Sequence, residues 1–428
     1  MKQITVLVLI ISLLSLSHLS CTKTTTQSDP ESNFTLFTPI STEHPPVNNP
    51  TLAWTYHWPE DYDRVLEAMT APCADNDGNC YFIGHNFYLY SLNPSGEVRW
   101  NKKDYYRSLY DDKLIITEEG ILAQQTLLTL ISLDGDILWE KEDSITDYFL
   151  SPNGTLFCFD RMDNKIIGLD SNGKTMWSTD VNQDSHFVLE GAFFDSNSNG
   201  YFLFVASEKD TQVSSYYILS ASPIGEIRWK KKLPYNRHNL ISEFLPNNTI
   251  QDTFLLAFTT EPYPETEEER ENYLNIERKG EKIVEAYNLD FGKIWETTIT
   301  KMGIYDDKYA VDQENNFYTV FNECDYDVHN SPLINSHLSC FSKEGTIMWE
   351  KTLDSTIATC PTFDSDHNMY LWIYGPDYNM CSMYPDGTFR WKLHVENSNG
   401  CKFPITLSSV GSIFTTSKYQ SLLFCVKE

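Results

Sequence analysis

Three features of the sequence predict an all-β chain folded as a propeller: eight four-stranded blades in a closed ring, with seven blades as the alternative count. A short apolar strand, a tight glycine turn and a strand bearing tryptophan recur seven times. A second turn, followed by an aromatic or aliphatic strand, recurs eight times between and around them. The two ends of the chain carry the halves of the missing eighth tryptophan unit.

The seven tryptophan units are LYSLNPSGEVRW (89–100), LISLDGDILW (130–139), IIGLDSNGKTMW (166–177), YILSASPIGEIRW (217–229), VEAYNLDFGKIW (284–295), LSCFSKEGTIMW (338–349) and NMCSMYPDGTFRW (379–391). Six keep Gly-x-x-x-Trp, and the fifth has Gly292-x-x-Trp295. Asn, Asp, Ser or Pro before glycine makes a hairpin turn, and glycine takes the positive φ that closes it. Residues two and four after the glycine share one face of the returning strand. That spacing puts Val98, Ile137, Met176 and Ile227 beside their tryptophans, with Glu97, Arg99 and their equivalents on the other face. A tryptophan there offers a large flat surface for packing between neighbouring sheets.

The second motif includes DNDGNCYFIG (75–84), SPNGTLFCF (151–159), DSNSNGYFLFV (195–205), DQENNFYTVF (312–321), DSDHNMYLWIY (364–374) and SSVGSIFTT (408–416). The end segments close the count. TLAWTYHW (51–58) is a strand with Trp54 in the motif position, and YQSLLFCVKE ends the chain on a strand lacking its tryptophan partner. Pairing first with last completes an eighth unit and leaves only short blade edges. Spacings of 38 to 66 residues between tryptophans suit four short strands per blade, with additions in the middle. The largest insertion includes 260–281 and is a charged surface segment.

The repeat, apolar-x-Leu-Asp-x-x-Gly-x-x-x-Trp, resembles the pyrroloquinoline-quinone-type repeat propellers of the quinoprotein-dehydrogenase-like superfamily, over residues 50–428. In that family the tryptophans dock each blade to the next, so the resemblance implies this role for Trp54, Trp100, Trp139, Trp177, Trp229, Trp295, Trp349 and Trp391. It also implies two functional classes. One binds the quinone and calcium in a central funnel and oxidises alcohols or sugars. The other is non-enzymatic and includes the lipoprotein scaffold of the outer-membrane β-barrel assembly machinery. This chain has no adjacent cysteine pair and no legible base–metal constellation, so no cofactor and no catalytic residue are expected. An interaction or scaffold role is expected instead.

Residues 1–20 read as a signal peptide: Lys2 precedes an apolar run from Ile4 to Leu16, shorter than the ~20 residues of a membrane span. Cys21 and the polar residues after it resemble the lipidation site of bacterial lipoproteins, with His18 where leucine is usual. Residues 21–49 read as a lipid-anchored flexible tether and 50–428 as one propeller domain. These expectations place a monomer in the bacterial cell envelope, held to the membrane through its lipid only. A net charge of −28 argues against nucleic acid and anionic bilayers. The expected partner is another envelope protein, an extended peptide or a glycan.

The remaining side chains offer few chemical sites. Of ten cysteines, Cys73 and Cys80 flank a turn and are the candidate disulfide. Cys158, Cys324, Cys340, Cys360, Cys381, Cys401 and Cys425 show no metal-binding CxxC spacing, and several of them, as in LFCFD and LLFCV, sit in apolar strand patterns as buried thiols. No metal site is expected: DNDGN and DSNSNG echo calcium-loop starts but lack the glutamate at the twelfth position, and turn formation explains them. The segments after the docking tryptophans are aromatic, and Tyr62, Tyr105, Tyr106, Tyr235, Arg237 and His238 form the candidate binding face at the funnel mouth.

Overall fold

A computed structural model describes residues 33–36, 45–59, 70–84, 86–103, 113–124, 127–142, 144–181, 186–207, 214–236, 241–246, 253–259, 282–299, 305–324, 334–374, 379–396, 404–417 and 422–428. The signal-peptide and lipidation readings at 1–20 and Cys21 lie outside these residues, as does the 260–281 insertion.

The described chain is all-β. Its antiparallel sheets form eight blades in a ring, so the eight-blade count holds. Blade 1 consists of Cys73–Ala74, Cys80–Ile83, Leu89–Leu92 and Val98–Lys102, paired in that order. Blades 2 to 7 repeat the order within 115–141, 145–180, 186–236, 241–299, 305–353 and 356–393. In blade 7 the first strand is broken into Thr356–Ile357 and Thr362–Phe363, both on Met369–Tyr374. The first strands of blades 8 and 1, 1 and 2, 3 and 4, 4 and 5, and 5 and 6 touch, which sets the first strands innermost.

Blade 8 joins the two ends of the chain. Thr406–Leu407, Ser412–Thr416 and Leu422–Lys427 come from the C-terminal side, and Thr51–His57 supplies the outer strand. The register runs from Thr51 opposite Lys427 to His57 opposite Leu422.

The second and third strands of each blade are buried on both faces, and their apolar side chains fill the seams between blades. Tyr318, Leu338 and Cys340 of blade 6, for example, share a cluster with Met369, Leu371 and Cys381 of blade 7. Burying these contiguous faces is the main favourable term in the fold.

The glycine–tryptophan motif works across the seams. The Trp54 indole N–H donates to the Pro94 carbonyl in the next blade's glycine turn, at 3.0 Å. Trp100, Trp139, Trp177, Trp295 and Trp349 donate in the same way to Leu133, Ser171, Pro223, Lys343 and Pro385, at 2.7 to 2.9 Å. The indole ring lies against the turn glycine of that next blade. A Cβ on Gly96 would stand 2.6 Å from the Trp54 ring, and the backbone there has φ +85°. Glycine is required twice over, by the left-handed turn and by the ring above it.

The fifth unit breaks the spacing by one residue, and the turn does not follow it. Phe291, not Gly292, adopts the left-handed conformation, with φ 66°. Its amide bonds to Asn288 as Gly96 bonds to Asn93. The phenyl ring packs on Trp229 at 6.0 Å, and the Trp229 N–H has no hydrogen-bond partner.

The boundary expected at residue 50 moves toward the N-terminus. Phe34 and Val47 are both buried, at 3% and 2% exposure, so parts of the stretch read as tether are built into the ring. Val47 completes the divided eighth turn: its carbonyl accepts the Trp391 N–H at 2.6 Å, the place held elsewhere by a hairpin residue. Its amide donates to the Tyr370 hydroxyl at 3.0 Å.

The Cys73–Cys80 bridge is not formed, and both thiols are free. The register sets Cys73 opposite Tyr81 and Cys80 opposite Ala74. Side chains alternate along a strand, so the two sulfurs lie on opposite faces of blade 1. Cys73 packs beside Tyr81 and Ile116 toward blade 2, and Cys80 beside Phe414 and Cys425 toward blade 8. Burial pushes the Cys73, Cys340, Cys381 and Cys425 thiols up to about 12.

Candidate interaction surface

Every blade carries a register shift between its third and outer strands just before the tryptophan. In blade 1, Leu92 faces Val98 and Ser91 faces Trp100, so Arg99 is the extra residue of a β-bulge. The bulge corrects the expected alternation. Val98, Ile137 and Ile227 do not pack beside their tryptophans; they are exposed on the rim. Arg99 turns inward instead, donating to the Tyr81 hydroxyl at 2.9 Å and to Ser91 at 3.1 Å.

Arg99 thereby joins a buried network that starts in the DNDGN turn. Asp75 Oδ1 accepts the amides of Asp77 and Asn79, while Oδ2 accepts the Asn79 side-chain amide and the Tyr81 hydroxyl. The Tyr81 ring lies 6.0 Å from Trp100, so the network braces the docking indole. Blade 4 repeats it with Asp195, Tyr201 and Arg228, and blade 7 with Asp364, Tyr370 and Arg390. In blade 7 Arg390 and Asp364 approach to 3.7 Å, both buried. Blade 6 keeps Asp312 and Tyr318, but Met348 and Cys340 stand where arginine and serine stand elsewhere. Burial pushes the Tyr201 and Tyr370 hydroxyls up to about 12.

The same contacts occupy the aspartates of the calcium-like loops. Both oxygens of Asp75, Asp195, Asp312 and Asp364 are filled by donors of their own turn. A metal would have to displace them. Among the described residues, no group of three or more His, Cys, Asp or Glu side chains could hold a metal ion. The converging carboxylates that a quinone–calcium centre needs are likewise not found there. The described residues do not fit that group.

Of the candidate binding face, Tyr62, Tyr105, Tyr106, Arg237 and His238 lie outside the described residues. Tyr235 falls within strand Ile227–Asn236.

Two other surfaces emerge. The first is the rim, where Ile137 and Leu138 of blade 2 are each 51% exposed, and Ile347 and Met348 of blade 6 are 52% and 56% exposed. Ile294 of blade 5 is exposed to the same degree. Each outer strand pairs on one side only, but the bulge twists it away from flat strand addition. The rim therefore offers apolar side chains more readily than a free ladder of backbone groups.

The second is the turn face of blades 2 and 3, where residues 33–36 dock. The Phe34 amide donates to the Gly154 carbonyl at 2.9 Å, and the Glu118 amide to the Thr35 carbonyl at 3.0 Å. The Thr35 amide donates to Glu119 Oε1 at 2.7 Å, and the Asn33 side chain to the Asn153 carbonyl at 3.1 Å. The Phe34 ring enters the apolar cluster of Leu122, Leu128, Ile145, Tyr148 and Leu156, 6.5 Å from Trp139. Sequence composition hid this site, because one buried apolar side chain is easily lost in a polar stretch.

Architecture and seam geometry define the protein as a β-propeller. No protein-family model matches the chain, and no curated protein matches it. Among solved structures it is similar to a streptogramin B lyase, at 13% identity and TM-score 0.44, covering 87% of this chain and 97% of that one. A catalytically inactive virginiamycin B lyase from Staphylococcus aureus bound to quinupristin matches at 10% identity and TM-score 0.43, covering 89% and 100%. The propeller domain of Myceliophteria thermophila Cps50 (Swd1) matches at 8% identity and TM-score 0.47, with the same coverage. Likenesses at this level carry no argument about activity.

Proposed function

We propose that this chain is a membrane-anchored, non-enzymatic β-propeller that serves as a protein-interaction or scaffold module of the cell envelope. The observation that supports it most directly is the rim, where neighbouring apolar side chains, Ile137 with Leu138 and Ile347 with Met348, stand half exposed beside charged residues. Apolar side chains set in a polar surround are the make-up of a protein-contact patch. The bulged edges favour contact through side chains over addition of a partner strand. The membrane anchor rests on Cys21 and the apolar run before it, and the polar tether shortens to the residues preceding Asn33.

Crosslinking in native membranes followed by co-purification tests the reading. A partner whose crosslinks map to Glu140, Lys141, Glu350 or Lys351, which flank the apolar pairs, supports it. Capture of no partner, together with quinone-dependent dye reduction by the purified protein, overturns it. Intact mass tests the anchor separately: Cys21 without an acyl group removes that part.

A further inference from the structure

Phe34 fills its seam from a segment that belongs to no blade. Val47 also comes from outside the blade strands, but it sits at the ring closure, where Trp391 bonds its carbonyl and Thr51–His57 pairs with Leu422–Lys427. Residues 33–36 take no part in that closure, so they can leave without opening the ring. They are held as an extended peptide is held by a receptor: one aromatic anchor in an apolar socket, with backbone bonds to turns on either side.

The fit is incomplete. Glu119 Oε2 is buried without a hydrogen-bond partner, and so is Asn33 Oδ1. A buried carboxylate oxygen left unpaired is costly, and a cationic or amide donor placed beside the aromatic anchor would satisfy it. Glu118 and Glu119 stand together on this turn, in a chain of net charge −28 that attracts cationic segments.

We propose that the socket between the turns of blades 2 and 3 is a recognition site for an extended partner segment, an aromatic residue next to lysine or arginine, and that Phe34 occupies it in cis until displaced. This rests on the interaction-module reading and names one of its sites. A tethered competitor acts at an effective concentration of order millimolar, so the free protein is held mostly closed. Removing the Phe34 ring opens the site and raises the apparent affinity by the closed-to-open ratio, about 10-fold or more.

The test uses fluorescent peptides spanning residues 31–38, one with the chain's own sequence and two with arginine in place of Asn33 or Thr35. On the Phe34→Ala protein, at least one arginine peptide is expected to bind ~10-fold tighter than the native-sequence peptide. Glu119→Gln in that background is expected to erase the difference. Wild type is expected to bind about 10-fold more weakly than Phe34→Ala.

Arginine peptides that bind no better than the native sequence, or whose advantage survives Glu119→Gln, overturn the proposal. So does the failure of every peptide to bind Phe34→Ala. Should Phe34→Ala lose its fold, hydrogen exchange on the wild type decides the matter. Displacement by excess arginine peptide deprotects the Phe34 amide, whereas a Phe34 amide that stays protected overturns the proposal. Co-purification from membranes is independent of these results, so this site can fail while the wider reading stands, and the reverse.

Discussion

The indole N–H of Trp391 donates to the backbone carbonyl of Val47, two residues 344 positions apart, at 2.6 Å. The same donor in blade 4, Trp229, has no acceptor. The two tryptophans share a fold position and differ in that bond, which makes them a matched pair. Trp391→Phe should cost about 1 kcal/mol more than Trp229→Phe, the net worth of one hydrogen bond. Urea denaturation of both variants checks it, and equal losses would show that the carbonyl of the broken turn contributes nothing.

The rings themselves carry more than the N–H. The docking tryptophans are half-buried, so truncation removes part of a full core contact and the seam bond together. Trp100→Ala and Trp349→Ala should each cost about 2–4 kcal/mol. A set of such variants with unchanged melting temperatures refutes the docking role.

The Asp–Tyr–Arg network makes a graded prediction. Arg390 and Asp364 are both buried, whereas Arg99 has a quarter-exposed side chain. Arg390→Ala leaves a buried carboxylate without its cation and should cost about 3–5 kcal/mol. Arg99→Ala should cost less, because water reaches the gap. Since both carboxylate oxygens of Asp75, Asp195, Asp312 and Asp364 are already bonded, millimolar calcium should leave the melting temperature unchanged. A calcium-dependent rise of several degrees would reopen the metal reading.

The buried thiols predict alkaline sensitivity. Cys381 and Cys425 ionise near 9 when unfolded and are pushed up to about 12 by burial in the native state. Below pH 9 both states are protonated and pH has no effect through these groups. Between pH 9 and about 12 the unfolded chain releases protons that the folded chain keeps, so stability falls as pH rises. Melting temperatures from pH 8 to 11 should decline for wild type, and less steeply for a Cys381→Ala, Cys425→Ala double variant. Parallel slopes would remove the thiols from the account.

How much of this was legible in the sequence depends on the range of each contact. The glycine turn and the tryptophan four residues later are one local unit, so the blades and their number could be read directly. The bulge at Arg99 could not, because it adds a residue without leaving a compositional mark. With it went the inward turn of Arg99, Arg228 and Arg390, although Asp75-x-Asp-x-Asn-x-Tyr81 and its copies stand plainly in the chain. Blade 5 shows the opposite error: Gly292 drew attention to the wrong residue, and the turn is made by Phe291. Phe34 and Val47 were unreadable for a simpler reason. Their partners lie more than eighty and three hundred positions away, beyond any local pattern.

The junction of blade 8 also sets an order of events. The Thr51 hydroxyl donates to the carbonyl of Lys427, 376 positions later. During synthesis Thr51–His57 is made first among the strands and must wait for the last one. The hairpins of blades 1 to 7 can form from neighbouring residues as they appear, but the ring stays open until Leu422–Lys427 arrives. For that whole interval Trp391 lacks its acceptor and the apolar faces of blades 1 and 7 stand uncovered. A chain cut short by its last few residues would keep nearly all its local structure and still fail to close, and the cell would meet it as a sticky, open arc.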